Sequence, residues 1–311
     1  LAAGQGTRMR SKIAKVLHPV VGRPMIFYAV EAVQRLVNLP PVVIVGYGSD
    51  AVRQTLSDAG FEVQFALQEQ QLGTAHAISC ARPLLEGQAD RVLVTCADMP
   101  LLQEETLQRL LSLHTQSGGV MTMTSVIGEV PRGFGRVLRD EHGNVRAIVE
   151  EAVATPEQLA IREYNVSAYC FEAEWLWRNL EQIQLSAKKE YYLTDLVEIA
   201  FKQGHKVETL VVPDPAEALG INTRVDLAAA ELAMRQRINQ RWMIAGVTLL
   251  DPATTTIELG VSIGQDTTIY PNTALRGTTV IGEDCQIGPN TTLVSTEVGT
   301  ATIIQNSVAE Y

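Results

Sequence analysis

Thr256-Ile257-Glu258-Leu259-Gly260-Val261-Ser262-Ile263-Gly264-Gln265-Asp266-Thr267-Thr268-Ile269 opens a run with a strict period. Ile257, Ile263, Ile269, Leu275, Ile281, Ile287 and Leu293 recur every six residues, and Gly follows the aliphatic residue at 264, 282 and 288. An α-helix repeats at 3.6 residues and a hairpin strand at 2, so neither produces this spacing. One inward aliphatic residue per short strand, six residues apart, is the pattern of a parallel β-helix. The phase slips by one before Val298 and Ile304. Tyr311 falls within a repeat and the chain starts at Leu1 rather than Met, so the sequence reads as trimmed at both ends, with further coils expected beyond it.

Upstream of the repeats, Leu227, Ala230, Met234 and Ile238 recur three or four apart and predict one long helix with a single buried face. Thr223 and Asp226 stand at capping-box spacing at its start, and Gly246 is its stop. Pro213-Asp214-Pro215 breaks the chain ahead of it. The division expected is residues 1–222, a helix and linker over 223–250, and the beginning of a solenoid over 251–311.

Within residues 1–222, Val42–Val45 and Val92–Cys96 are short apolar runs that read as buried strands. Helical patterns lie near 23–37, 50–59, 73–86 and 103–114. Strands alternating with helices predict an α/β domain with a mostly parallel sheet. From residue 120 the runs 120–126, 136–138, 145–150, 164–171 and 207–212 are strand-like, and Asp140–Asn144 supplies hairpin turn residues, which makes the sheet mixed.

Composition sets the outer bounds. The chain has 311 residues, 46% hydrophobic and 19% charged, enough apolar material for a core. No run approaches the ~20 apolar residues of a membrane span. Cys80, Cys96, Cys170 and Cys285 are too scattered for a zinc site or a disulfide framework, which fits a reducing cytoplasm. Net charge −10 argues against a nucleic-acid surface. Yet Arg8, Arg10, Lys12, Lys15 and Arg23 fall in the first 30 residues, ahead of the first acid, Glu31. One basic segment in an acidic chain points to a small polyanion.

That segment holds Leu1-Ala2-Ala3-Gly4-Gln5-Gly6-Thr7-Arg8-Met9. Two glycines in three residues let the backbone approach a ligand, and successive N–H groups can form an anion-binding nest. Arg8-Met9 stands where a dinucleotide fingerprint needs its third glycine, and the Gly-Lys-Ser/Thr of a P-loop is missing. Asp98 follows a hydrophobic strand, where ligands of open α/β sheets bind. Asn222 stands just ahead of the long helix. A carboxylate and an amide oxygen are hard donors suited to Mg²⁺.

These motifs resemble the sugar-nucleotidyltransferase family. Leu1–Met9, Lys15-Val16-Leu17-His18, Gly22-Arg23-Pro24-Met25, Gln71–Ala77, Asp98-x-Pro100-Leu101, Gly133–Arg136, Ile148–Glu150, Asn165, Glu190–Asp195 and Gly220–Asn222 carry the resemblance. The similarity is greatest to its bifunctional branch, the N-acetylglucosamine-1-phosphate uridylyltransferases that also acetylate glucosamine 1-phosphate. The resemblance implies a Rossmann-like nucleotidyltransferase domain followed by a left-handed parallel β-helix. The implied reaction is Mg²⁺-dependent transfer of UMP from UTP to N-acetylglucosamine 1-phosphate, feeding peptidoglycan synthesis. Acetyl-CoA would serve only a full-length parent, and a homotrimer through the β-helix is implied, weakened where few coils remain.

By the same resemblance, Arg8 and Lys15 are the catalytic cations, and Asp98 and Asn222 hold Mg²⁺. Leu1, Ala2, Ala3, Gly4 and Lys15 line the nucleotide, as does Asn222. Gln68, Gly73 and Thr74 hold uracil and ribose; Gly135, Glu150 and Asn165 hold the sugar. His18 and His76 read as structural, and Cys96 as a small core residue. Departures from the family pattern include Ala14, Ala97 before Asp98, Ala152, Ser167 and Lys189. The competing readings are a related transferase for glucose 1-phosphate or dTTP, and a non-catalytic subunit of the same architecture.

Overall fold

The computed structural model describes residues 1–128 and 133–311. It divides into two compact units, Leu1–His18 with Met25–Thr223, and Pro19–Pro24 with Arg224–Tyr311.

In the first unit, Val42–Val45 and Gln64–Leu67 pair in parallel, Val42 opposite Gln64. Ala2 bridges Val45 in the same sense, its N–H donating to Ile44 O at 2.9 Å, while Leu1 O accepts from Ala97 N–H at 3.0 Å. Leu1-Ala2 thus lies between the Val42–Val45 strand and the segment that follows the Arg91–Val94 strand. The parallel part ends there. Glu163–Glu172 runs antiparallel to both Arg91–Val94 and Met121–Ile127, and Glu208–Val211 lies parallel to Met121–Ile127. The sheet is mixed, with one long antiparallel strand at its hub.

Side chains alternate across that hub strand with the period of two that a pleat imposes. Tyr169 and Phe171 enter one core with Met121, Met123 and Leu176; Val166, Ala168 and Cys170 enter the other with Leu107 and Leu110. Helices Thr74–Leu85 and Glu104–Ser117 contribute to these two cores, which is why both faces of the strand are apolar. Arg136–Arg139 and Val145–Val149 form the expected hairpin. Its turn is closed by Asp140, whose Oδ1 accepts the N–H groups of His142 and Asn144 at 2.9 and 2.8 Å.

In the second unit, the helix Arg224–Ile244 buries Ala230, Met234 and Ile238, as its spacing predicts, while Leu227, expected on the same face, is only half-buried. Gly246 follows it at φ +94°. Asn239 Nδ2 donates to Pro252 O at 2.9 Å and Thr255 O at 3.0 Å, tying the helix to the first coil. Pro19–Val20 and Arg23–Pro24 form a hairpin here, and Val21 N–H donates to Glu231 Oε2 at 2.6 Å. This hairpin interrupts the sequence of the first unit, a return path that charge and periodicity do not disclose.

The coils form three parallel sheets; the strands from Thr256 to Leu275 pair with those 18 residues ahead, Ile257 with Leu275 and Ile263 with Ile281, whereas Leu249 pairs 20 ahead with Ile269 and Leu293 pairs 16 ahead with Ala309. All seven in-phase residues from Ile257 to Leu293 are buried. The slip seen in the sequence is a coil one residue shorter, which sets Ile281 opposite Val298. Buried threonines beside the aliphatic stack spend their hydroxyls on coil carbonyls, Thr267 on Gly282 O at 2.8 Å and Thr279 on Arg276 O at 2.7 Å.

Candidate active site

The glycine-rich segment curls into a short turn of 3₁₀ helix, Thr7–Met9. Gly6 sits at φ +62°, and a Cβ there would stand 2.6 Å from Lys15 Cβ. Only glycine takes that conformation freely while allowing Lys15 to pass behind the loop. Among the described residues, the N–H groups of residues 4–8 donate to no protein acceptor. Five unspent donors in succession, flanked by Arg8 and Lys15, are what a chain of phosphates requires.

Lys15 reaches from this loop to Asp98, with which it forms an ion pair, and to Asn222, with Nζ 3.3 Å from Oδ1. Arg8 Nη2 donates to the same Asn222 oxygen at 3.0 Å. The convergence has a backbone cause: Ile221 N–H donates to Asp98 O at 2.9 Å, which sets Asn222 beside a residue 124 positions earlier. The side chains of Lys15 and Asp98 are 11% and 24% exposed, shielded enough to hold geometry yet open to a ligand.

The fit to a divalent cation can be judged directly. One ammonium group touches both Asp98 Oδ2 and Asn222 Oδ1, so two hard oxygens already converge on a single positive centre. Mg²⁺ is held in this way by one or two protein oxygens, with substrate phosphates completing its shell. No cluster of three or more His, Cys, Asp or Glu suited to a metal occurs among the described residues, and such a site needs none.

Gln68, Gly73 and Thr74 form a second group. Gln68 is buried beyond the Gln64–Leu67 strand, with Nε2 donating to Gly73 O at 3.0 Å. Gly73, at φ +100°, has the backbone of Tyr191 so close that a Cβ would lie 2.5 Å from its carbonyl oxygen. Thr74 Oγ1 accepts from Leu193 N–H at 2.9 Å. The segment through Tyr191 and Leu193 continues to Thr194, whose hydroxyl donates to Glu150 Oε1 at 3.2 Å.

Glu150 belongs to the third group. Asn165 N–H donates to Gly135 O at 2.9 Å, and a Cβ on Gly135 would stand 3.6 Å from Glu150 Oε1. Asn165 is buried, with Nδ2 donating to Tyr169 Oη at 2.6 Å and Oδ1 accepting from Ser167 N–H at 3.2 Å. Burial raises the Glu150 carboxyl above its usual range, against the opposing effects of the Thr194 hydroxyl and Lys188. Burial, with Glu198 and Glu150 nearby, pushes Asp195 up to about 6. Cys96 Sγ lies 3.9 Å from Ser167 O, joining this group to the Asp98 loop. Cys96 stands just past its strand, and burial pushes its thiol up to about 11, which leaves it a poor nucleophile.

The positions expected from the sequence therefore fall into three connected groups, and none stands apart. Four contributors were not expected: Ile221 and Thr194, which align Asn222 and Glu150; Tyr169, whose phenol burial raises well above the ordinary range; and His76, in contact with Gln68. Thr194, Ile221 and His76 lie inside the Glu190–Asp195, Gly220–Asn222 and Gln71–Ala77 motifs, so a signal was present for all three. Tyr169 depends on a pairing that only the folded chain provides.

A family of MobA-like NTP transferase domains matches residues 1–187. The six-repeat bacterial transferase hexapeptide family matches residues 260–295. The chain is 43% identical over 314 residues to the bifunctional protein GlmU of Shouchella clausii, covering 99% of this chain and 68% of that protein. It belongs to the GlmU family. Against the GlmU proteins of Exiguobacterium sibiricum and Bacillus subtilis, identity is 44% and 42%, over 99% and 100% of this chain and 68% of each relative. The chain is a nucleotidyltransferase that serves UDP-N-acetylglucosamine synthesis. Among solved structures, UDP-glucose pyrophosphorylase complexed with UDP-glucose superposes with TM-score 0.58 at 18% identity, covering 76% of this chain and 97% of that one. A CMP:2-keto-3-deoxy-manno-octonic acid synthetase complexed with CTP gives 0.55 at 17%, covering 73% and 95%. These two likenesses speak to the fold alone.

Proposed function

We propose that this site transfers UMP from UTP to N-acetylglucosamine 1-phosphate, releasing pyrophosphate. The observation that carries the reading is the convergence of Lys15, Asp98 and Asn222 beside five unspent backbone N–H groups. A phosphate oxygen of the sugar phosphate attacks the α-phosphorus of UTP. The new P–O bond forms as the bond to the bridging oxygen of pyrophosphate breaks, and that oxygen keeps the electron pair. The attacking phosphate is already ionised, so no general base is required.

Catalysis here is positioning and charge stabilisation. The N–H groups of residues 4–8 hold the phosphates, while Leu1, Ala2 and Ala3 supply backbone beside the nucleoside. Lys15 and Arg8 stabilise the negative charge that builds on the α-phosphate and the leaving oxygen. Gln68, Gly73 and Thr74 hold uracil and ribose; Gly135, Glu150 and Asn165 hold the sugar and its acetamido group. Asp98 and Asn222 would hold Mg²⁺, which when bound neutralises phosphate charge. The acetyl transfer from acetyl-CoA belongs, on this reading, to further solenoid coils of a full-length protein.

Two finer statements go with this reading. The solenoid leaves Val280, Ile303 and Val308 exposed at 45%, 63% and 79%, which supports a homotrimer built through it, and sedimentation at several concentrations tests that. All four cysteines are free thiols, and no helix among the described residues is long and apolar enough to cross a membrane, which supports a cytoplasmic location. The reaction itself is tested by pyrophosphate release from UTP or dTTP with Mg²⁺ and N-acetylglucosamine 1-phosphate, glucose 1-phosphate or glucosamine 1-phosphate. Preference for UTP with the N-acetylated sugar is expected; equal rates with glucose 1-phosphate would overturn the substrate assignment.

A further inference from the structure

The amide nitrogen of Gln68 has two hydrogens, and both are committed. One goes to Gly73 O at 3.0 Å and the other to His76 Nδ1 at 3.0 Å. A carbonyl oxygen only accepts, so the nitrogen end of the amide must face Gly73. The same nitrogen can only donate, so His76 Nδ1 must accept and the imidazole carries its hydrogen on Nε2. His76 stands in the first turn of the Thr74–Leu85 helix, whose backbone fixes the ring against a buried partner. Among the described residues, Gln68 Oε1 takes no hydrogen bond, and it is not sealed from solvent.

We propose that His76 is a positioning residue for nucleotide choice: it holds Gln68 so that the side chain offers the base an acceptor and no donor. Uracil presents an N–H at N3 and satisfies that acceptor, whereas cytosine presents a lone pair at N3 and is repelled by it. With only the Gly73 bond left, one amide hydrogen would be released and could donate to cytosine. The inference rests on the proposed base-binding role of Gln68.

The test is steady-state kinetics with UTP and CTP on the wild type and three variants, with thermal melts on each. In His76→Asn, Oδ1 stands where Nδ1 stood; in His76→Gln, the acceptor moves one bond outward. His76→Gln is expected to raise KM for UTP about tenfold with kcat within twofold, and to narrow the UTP-to-CTP ratio of kcat/KM about tenfold. His76→Asn should keep both near wild type. His76→Leu repeats the Gln arm should that variant fail to fold. If the Gln and Asn variants share one UTP-to-CTP ratio, or move only the melting temperature, the proposal is overturned. Gln68→Ala separates the two levels. An unchanged KM for UTP in that variant removes the base subsite itself, whereas a large rise alongside silent His76 variants removes only the role of His76.

Discussion

Along the solenoid each inward aliphatic residue lies six positions from the next, while the polar side chains gathered around Lys15 come from positions 8, 98 and 222. The first arrangement is local and repetitive, so one coil specifies the next. The second depends on strand ends and a single backbone hydrogen bond from Ile221 to Asp98. Stability in the solenoid is therefore spread over many equivalent positions, and chemistry in the other unit is concentrated in few. Breaking one position should cost stability in the first and activity in the second.

The largest effect falls on the concentrated side. Lys15→Ala should lower kcat/KM for pyrophosphate release about a thousandfold, the scale of losing one charge-stabilising donor, while leaving the melting temperature near wild type. Asp98 is partly open to water, so removing its partner does not strand a buried charge. A comparable fall in melting temperature would mean that the pair is structural.

On the distributed side, Ile269 is fully buried in the coil stack, and Ile269→Ala should cost about 3 kcal/mol through lost transfer energy and a cavity. Ser262→Ala, at an exposed position one residue before an inward site, should cost less than about 0.5 kcal/mol. Denaturant unfolding of both variants checks the contrast, and equal costs would contradict the inward-outward assignment.

A smaller gain is expected at Ser167, which sits at φ +56° beside Asn165 and Cys96. The left-handed conformation costs an L-residue about 1–2 kcal/mol, and glycine returns about 0.5–1 of that as extra entropy in the unfolded chain. Ser167→Gly should therefore stabilise by roughly 0.5–1 kcal/mol, again by denaturant unfolding. The smallest effect is one of pH. Asp195, raised to about 6, binds more protons folded than unfolded between its ordinary range and pH 6. Its contribution to stability is therefore lost as pH rises through that window and stays unfavourable above it. Asp195→Asn should raise the melting temperature more at pH 8 than at pH 4, and a gain independent of pH would contradict this origin.

The same contrast explains how much of the molecule could be read in advance. The repeat from Ile257 to Leu293 and the slip before Val298 were legible because the signal is a period carried by the chain itself, whereas the pairing of Leu249 with Ile269 and the second short step, Leu293 to Ala309, lie outside that period. The helices at Ser49–Asp58 and Thr74–Leu85 were legible from spacing, and the tight turn ahead of Thr7–Met9 from Gly4 and Gly6. The direction of Glu163–Glu172 was not, since an apolar run has no polarity and only its neighbours decide it. Nor was the departure of Pro19–Pro24 into the second unit, where the N–H of Val21 meets Glu231, 210 positions later. Gln68 was singled out through the family resemblance, but His76 was set aside because a histidine on a helix carries no sign of what it touches.

The most direct test of the central claim is Mg²⁺-dependent binding of UTP, measured calorimetrically for the wild type, Asp98→Ala and Asn222→Ala. If those two oxygens form the cation site, UTP affinity in the wild type rises with Mg²⁺ and both variants lose that dependence while remaining folded. Retention of the full Mg²⁺ effect in either variant would contradict the assignment.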